Sequence, residues 1–278
     1  MQEAITYIKT LLHKYYPENE IQGFTRLIIE HITGKSYPQA ILDNEKLSRL
    51  QARSINNIVK RLRAYEPIQH IIGETEFFGL PFIINKNVLI PRPETEELVE
   101  LIINTNTKQN PAILDIGTGS GAIAIALAKY IKEAAVSAWD VSKEALSVAA
   151  ANAERNGVDI AFDEVDVLLD YPAEKKYDII VSNPPYILES EKREMEKNVL
   201  DYEPHLALFV PDNKALIFYE RIADIALSLL NSGGKLYFEI NRAFGKETVG
   251  MLKDKGFCNV VLHQDISKND RMVKAGIE

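Results

Sequence analysis

At 278 residues the chain is long enough for one large domain, or for a large and a small one each with its own core, and its 46% hydrophobic content agrees. A formal charge of −8 and a pI near 5.3 argue against a phosphate backbone as main partner, a task that calls for clustered Lys and Arg, so no direct nucleic acid contact is expected. The single cysteine, Cys258, cannot close an intramolecular disulfide, Met1-Gln2-Glu3-Ala4 lacks the basic start of a signal peptide, and no apolar run approaches the roughly 18 residues of a membrane span.

These features read as a cytoplasmic protein, taken here as a monomer. The histidines His13, His31, His70, His205 and His263 are scattered without a second ligand at helical spacing, so no metal site is expected.

From Gln2 to Tyr16 apolar residues fall on one helical face, and Pro17 closes the segment. A second helix carries Ile21, Phe24, Leu27, Ile28 and Ile32, with Gly34 as its C-terminal cap. A third spans Asn44 to Ala64, stopped by Pro67. Three amphipathic helices without a strand pattern among them predict a small helical domain. The texture changes at Gly73. Glu74 to Pro91 is rich in aromatic and β-branched residues, broken at Gly79 and at Asn85-Lys86-Asn87, which reads as a linking hairpin. It ends in Leu89-Ile90-Pro91-Arg92-Pro93-Glu94-Thr95-Glu96, either a well-capped helix start or a loop folding over a ligand, with Arg92 and Thr95 as contacts.

After Pro111 strands and helices alternate: strands at Ala112–Ile116, Ala135–Ala138, Ile160–Glu164, Tyr177–Ser182 and Lys235–Ile240, helices at Ala122–Lys132, Ser142–Asn156 and Lys214–Leu230. This rhythm predicts a mostly parallel sheet covered on both faces. A helix from Lys246 to Lys255 then precedes two runs, Asn259–Gln264 and Arg271–Ala275, joined too briefly for a crossover, so they form an antiparallel hairpin at one edge.

The first strand runs into Asp115-Ile116-Gly117-Thr118-Gly119-Ser120-Gly121-Ala122, where glycines let backbone approach a ligand and the helix start offers amides. Gly117, Gly119 and Ala122 also satisfy a dinucleotide pattern, so the glycines alone do not choose between NAD and another adenosine ligand. Asp115 leans toward S-adenosylmethionine, because a carboxylate repels a pyrophosphate and tolerates a cationic amino acid end. Asp140 ends the second strand as an acceptor for ribose hydroxyls, a place where it would equally serve as a helix cap. Asp166 ends the third, with Val167 and Leu168 as an apolar wall for adenine.

At the end of the fourth strand stand Asn183-Pro184-Pro185-Tyr186. Two fixed acceptors, Asn183 Oδ1 and the Pro184 carbonyl, suit the two hydrogens of a planar NH2 group. Pro185 holds its predecessor extended and so aims that carbonyl, and Tyr186 could stack on the flat group. A proline-rich loop leaving a sheet is the bland alternative. Glu189, Glu191 and Glu239 read as solvated or structural, and no general base is required.

The glycine loop, Asp140 and the Asn-Pro-Pro-Tyr sequence resemble class I S-adenosylmethionine methyltransferases acting on planar amino groups. Over nearly its whole length the chain resembles the release factor glutamine methyltransferases, the HemK/PrmC family: in Pro67–Gly73, Phe77-Phe78-Gly79, Val88–Glu96, Asp115–Ala126, Asn183–Ile187 and Glu203-Pro204. The resemblance implies a Rossmann-like α/β sheet, mostly parallel with an antiparallel C-terminal hairpin, after an N-terminal helical domain (1–72) and a hairpin linker (73–92), with the catalytic domain over 93–278. It further implies S-adenosylmethionine as cofactor, held by Gly117–Gly121, Asp140, Asp166, Val167, Leu168 and Asn183. The implied acceptor is the glutamine of the Gly-Gly-Gln motif of class I peptide chain release factors, held by Asn183 to Tyr186 while the helical domain grips the factor elsewhere. Three departures stand out: Asn241 where Glu-Ile-Gly is common, Lys268-Asn269 in place of a glycine before Arg271, and no aromatic beside the adenine. An RNA or DNA amino-group methyltransferase is the alternative.

Overall fold

The computed structural model describes residues 1–278, which divide into two compact units, Met1–Glu74 with Glu196–Tyr202, and Thr75–Met195 with Glu203–Glu278. The first holds α1 (Gln2–Leu12), α2 (Glu18–Thr33), α3 (Tyr37–Asp43), α4 (Arg49–Leu62) and α5 (Ile68–Ile72). Residues at helical spacing, among them Ile8, Leu12, Ile21, Ile28, Ile55 and Leu62, form its core.

Its helices differ from expectation where local chemistry overrides periodicity. The predicted helix from Asn44 begins only at Arg49, because Ser48 and Gln51 form a reciprocal capping box there. Asn44 instead closes α3 in the left-handed region at φ 42°, a helix without a periodic apolar signal because it buries only Ala40. Pro67, read as a stop, is the N-cap of α5.

The second unit opens on β1 (Glu74–Phe77) and β2 (Leu80–Ile83), joined by Phe78 and Gly79 at φ 51° and 74°, the positive pair that a two-residue hairpin turn requires. Pairing stops at Ile83 rather than near Pro91, and residues 84–92 run on without regular structure into α6 (Pro93–Thr105). Then follow β3 (Ala112–Ile116), α7 (Ala122–Tyr130), β4 (Ala135–Asp140), α8 (Lys143–Asn156), β5 (Ile160–Glu164) and β6 (Tyr177–Ser182). The stretch beyond β6 holds β7 (Ile187–Leu188), α9 (Lys197–Leu200, in the first unit) and β8 (Phe209–Val210). The chain ends with α10 (Ile217–Leu229), β9 (Leu230–Glu239), α11 (Gly245–Asp254), β10 (Cys258–Gln264) and β11 (Asp270–Gly276).

The main sheet has the order β10-β11-β9-β6-β3-β4-β5. β9, β6, β3, β4 and β5 run parallel; β11 is antiparallel to β10, as their short connection demanded, and also to β9. Alternate residues of β3 enter different cores, Ile113 among residues of α6, α7 and α8, Leu114 among residues of α10 and α11. A strand buried on both faces must read as a continuous apolar run, and Ala112-Ile113-Leu114 does. β9 begins five residues before the expected Lys235, its early part joined by a register irregularity across 231–234.

Candidate active site

Chain order along the sheet reverses at β3, which has β4 on one side and β6 on the other. At such a switch point the loops leaving adjacent strands part, and a crevice opens at the carboxyl ends. Here the crevice, about 910 Å³ counting its solvent-open mouth, is lined by Gly117 and Gly119 after β3, Asp140 at the end of β4, Asp166 and Val167 after β5, and Asn183, Pro184 and Pro185 after β6. Ser182 Oγ donates to the Ile116 carbonyl at 2.6 Å, pinning the ends of β6 and β3 together.

The glycine loop is more committed than its sequence suggested. The amides of Gly117 and Thr118 both donate to the Trp139 carbonyl, at 2.8 and 3.0 Å, and that of Gly121 to the Thr118 carbonyl at 2.8 Å. Gly119 N donates to Asp140 Oδ2 at 2.8 Å. Few amides are left to wrap a diphosphate, which disfavours the dinucleotide that the glycine pattern left open. Gly117 and Gly119 lie at φ 74° and 56°, and a Cβ on either would meet nothing within 4 Å, so both border open space that a ligand can fill. Gly121 serves packing instead: at φ 81°, its Cβ would lie 3.0 Å from Ile125 Cδ1 and 3.1 Å from Ala149 Cβ.

Asp115 is fully buried; its Oδ2 accepts from Thr118 Oγ1 at 2.6 Å, while Oδ1 lacks a hydrogen-bond partner of good geometry. Burial pushes its carboxyl up to about 7, against the pull of the Thr118 hydroxyl and the Ala124 amide. Asp140 is likewise raised by burial, and the amides of Ser142 and Gly119 oppose the shift. Its two oxygens each accept one of those amides, at 2.9 and 2.8 Å, and each keeps a lone pair for a ribose hydroxyl. Ser142, not Asp140, is the N-cap of α8. Asp166 Oδ1 accepts from Leu168 N at 3.0 Å in a tight turn. Arg221 of α10 fixes that turn by donating to the Val167 carbonyl at 2.6 Å.

The crevice therefore fits S-adenosylmethionine. It is acidic, it has a fixed carboxylate at a strand end for the ribose, and its glycines leave room against the backbone.

Not every anticipated residue reaches it. Thr118 and Ser120 are buried, the Ser120 carbonyl accepting from Asn152 Nδ2 at 2.9 Å, and Leu168, 41% exposed, does not line the crevice. Tyr186 turns behind the crevice, its hydroxyl 3.1 Å from Glu239 Oε1 and its ring against the α10 core. Thr95 does not line the crevice either. It is buried between Asn183 and Glu239, accepting from Asn183 Nδ2 at 3.2 Å and donating to Glu239 Oε2 at 2.6 Å. Arg92 binds Glu203. Glu239 is 1% exposed and does not line the crevice, while Glu191 accepts from Leu188 N at 2.7 Å and Glu189 pairs with Lys192. Leu89, at the start of the stretch read as a loop over a ligand, lines the crevice, and sequence reasoning missed Val88, Leu206 and Phe218 as lining residues. Phe218 brings an aromatic ring from α10 into the crevice that Val167 lines, where the usual aromatic is absent.

A family model described as the methyltransferase small domain matches residues 95–201, and one described as the PrmC N-terminal domain matches residues 3–73. A release factor glutamine methyltransferase of Flavobacterium psychrophilum is 50% identical over 95% of this chain and 94% of its own. The chain belongs to the release factor glutamine methyltransferase family. A member from Bacteroides thetaiotaomicron is 45% identical over 99% of both chains. Among solved structures, a methyltransferase of Pyrococcus furiosus matches with TM-score 0.54 at 18% identity, over 80% of this chain and 98% of its own. A T. thermophilus 16S rRNA methyltransferase, solved with AdoMet and guanosine, matches with TM-score 0.51 at 16% identity, over 74% of this chain and 50% of its own. At these identities the structural matches speak for the fold, which the family shares with a wider set of methyltransferases. No helix is long and apolar enough to cross a membrane.

Proposed function

We propose that this chain transfers the methyl group of S-adenosylmethionine to the side-chain amide nitrogen of the glutamine in the Gly-Gly-Gln motif of class I peptide chain release factors, in the cytoplasm. One observation carries the reading: Asn183 gives its Nδ2 to Thr95 within the protein, which leaves Oδ1 as an acceptor in the crevice that also holds the glycine loop and Asp140.

When bound, S-adenosylmethionine supplies an electrophilic methyl group on a sulfonium. An amide nitrogen is a poor nucleophile because its lone pair is delocalised, and it becomes positive as the methyl arrives. Asn183 Oδ1 and the Pro184 carbonyl take its two hydrogens, hold its plane and stabilise that charge. Pro184 is buried and Pro185 stiffens the backbone after it, so little reorganisation accompanies the step. Once the new N–C bond is made, the nitrogen is acidic enough to lose a proton to Asn183 Oδ1 or to water, so Glu239 has no proton to take.

The test is transfer of labelled methyl to purified release factor, with a Gly-Gly-Ala factor and total RNA as parallel acceptors. Label on the intact factor alone is expected; label on RNA would favour an RNA amino-group methyltransferase instead. Asn183→Ala is expected to lose at least about a hundredfold in turnover, the scale of a lost preorganised contact to developing charge, with cofactor affinity better preserved.

A further inference from the structure

Between the crevice and the core lies a chain of polar contacts in which the direction of the first protons is forced. Asn183 Nδ2 can only donate, so the Thr95 oxygen accepts from it, at 3.2 Å. The one hydroxyl proton of Thr95 is then left for Glu239 Oε2, at 2.6 Å. The other carboxylate oxygen, Oε1, accepts from the Tyr186 hydroxyl at 3.1 Å; burial raises the Glu239 carboxyl, and the Thr95 and Tyr186 hydroxyls and the Arg271 cation pull the other way, toward the ionised acid. Glu239 is 1% exposed and Thr95 4%, so water cannot substitute for either partner.

The two faces of an asparagine amide have nearly the same shape, and only hydrogen bonds decide which way it turns. Turned over, Asn183 would set Oδ1 against a Thr95 oxygen whose proton is already committed to Glu239. Two oxygens would then face each other without a hydrogen, one of them on the buried Thr95. We propose that Glu239, acting through Thr95, is a positioning residue that fixes the orientation of the Asn183 amide, so that an acceptor and not a donor faces the crevice. The consequence is specificity. A site presenting Oδ1 accepts a planar NH2 group and repels the oxygen of an isosteric carboxylate, which separates glutamine from glutamate.

This inference rests on the methyl-transfer reading for its kinetic test and carries one readout independent of it. Thr95→Val keeps the shape of the side chain but loses both contacts; Thr95→Ser keeps the hydroxyl. Glu239→Gln offers an NH2 to the Thr95 oxygen, frees the threonine proton for Asn183 Oδ1 and so favours the turned amide. Thr95→Val and Glu239→Gln are expected to lose at least about tenfold in kcat while S-adenosylhomocysteine affinity by calorimetry stays within about twofold, a part of what removing a direct contact costs. Thr95→Ser is expected to recover most of that loss. Equal loss in Thr95→Ser and Thr95→Val, or losses of kcat matched by losses of cofactor affinity and melting temperature, would overturn the assignment. Independently of turnover, the Asn183 side-chain NH2 protons, followed by 15N NMR, should exchange slowly with solvent in the wild type and rapidly in Glu239→Gln. Slow exchange in both would refute the proposal even if methyl transfer is confirmed. Should the wild type label no release factor, the methyl-transfer reading fails while the exchange contrast still decides the network.

Discussion

Asn241 Nδ2 donates to the backbone carbonyl of Tyr186 at 3.1 Å. Asn241 is 7% exposed, its Oδ1 accepts from Ala243 N at 2.9 Å, and its backbone N–H donates to the Tyr219 hydroxyl at 3.3 Å. A residue that departs from the Gly common in the family thus ties the Asn-Pro-Pro-Tyr loop to the turn after β9. Asn241→Gly restores the family's residue yet strips the carbonyl of its partner and leaves the Ala243 amide uncapped. It is expected to cost about 1–3 kcal/mol of stability, the penalty of a buried polar group losing its bond, and to lower turnover more than cofactor affinity. Thermal unfolding of Asn241→Gly beside the wild type checks this; coincident melting curves would show that the bond contributes nothing.

Gly121 and Gly119 both have positive φ, but alanine should harm them in different ways. At Gly121 a methyl group lands 3.0 Å from Ile125 Cδ1 and 3.1 Å from Ala149 Cβ, where α7 and α8 press together, on top of φ 81°. Gly121→Ala is expected to destabilise the fold by about 2–4 kcal/mol, overpacking and backbone strain combined. Gly119→Ala adds the strain, about 1 kcal/mol, but its methyl enters open space in the crevice. There the larger loss is expected in S-adenosylhomocysteine affinity. Calorimetric titration and melting of the two variants should give opposite rankings, and identical rankings would contradict the division of roles.

What could be read ahead of the structure was whatever is local. The amphipathic spacing of Ile5, Ile8 and Leu12, the glycines after β3 and the carboxylates at strand ends declare themselves within a few residues, because helical period and strand-end position are short-range properties. The boundary of α4 was misread although Ser48 and Gln51 stood in the sequence, since a capping box is visible only to a reader who weighs side-chain hydrogen bonds above apolar period. Thr95 was the harder case. Its place in a proline-rich stretch that also read as a loop over a ligand suggested a ligand contact, whereas its partner Glu239 lies 144 residues away and is brought to it only by the strand order of the sheet. Phe218 and Leu206 carried no signal, because what lines a crevice from a helix face or a loop depends on packing that no spacing encodes.

The buried carboxyl of Asp115 makes a prediction about pH. Its folded value is pushed up from 3.8 to about 7, so the folded state holds this proton more tightly than the unfolded chain. Stability from this group is therefore fully present below pH 4 and falls as pH rises toward 7. Asp115→Asn keeps the shape and an acceptor for Thr118 without the titration. Between pH 4.5 and pH 8 the wild type is expected to lose about 2–4 kcal/mol relative to Asp115→Asn in urea unfolding, because each tenfold difference in proton affinity between the folded and unfolded states is worth about 1.4 kcal/mol. Parallel pH profiles for the two proteins would show that the carboxyl titrates normally.

Glu203 gathers two borders of the crevice onto one carboxylate. Its Oε1 accepts from Arg92 Nη2 at 2.5 Å and its Oε2 from Ile90 N at 3.2 Å, with the Glu203 side chain 1% exposed and that of Arg92 32%. Val88 and Leu89 precede these partners and Pro204 follows the acid, and all three line the crevice. Glu203→Ala leaves the buried Ile90 amide and the guanidinium without acceptors, a loss expected at about 3 kcal/mol, toward the low end for a broken buried pair because Arg92 keeps some water. Glu203→Gln keeps an acceptor for only one of the two donors and sets its NH2 against the other, so it should fall between. Affinity for S-adenosylhomocysteine should decline in the same order, since both borders loosen together. High salt separates the contributions: screening weakens only the charged pair, so the gap between wild type and Glu203→Gln should narrow in about 1 M salt while the gap between Glu203→Gln and Glu203→Ala stays. A variant series that shifts melting temperature but leaves cofactor affinity flat would mean that the carboxylate supports the fold without shaping the crevice.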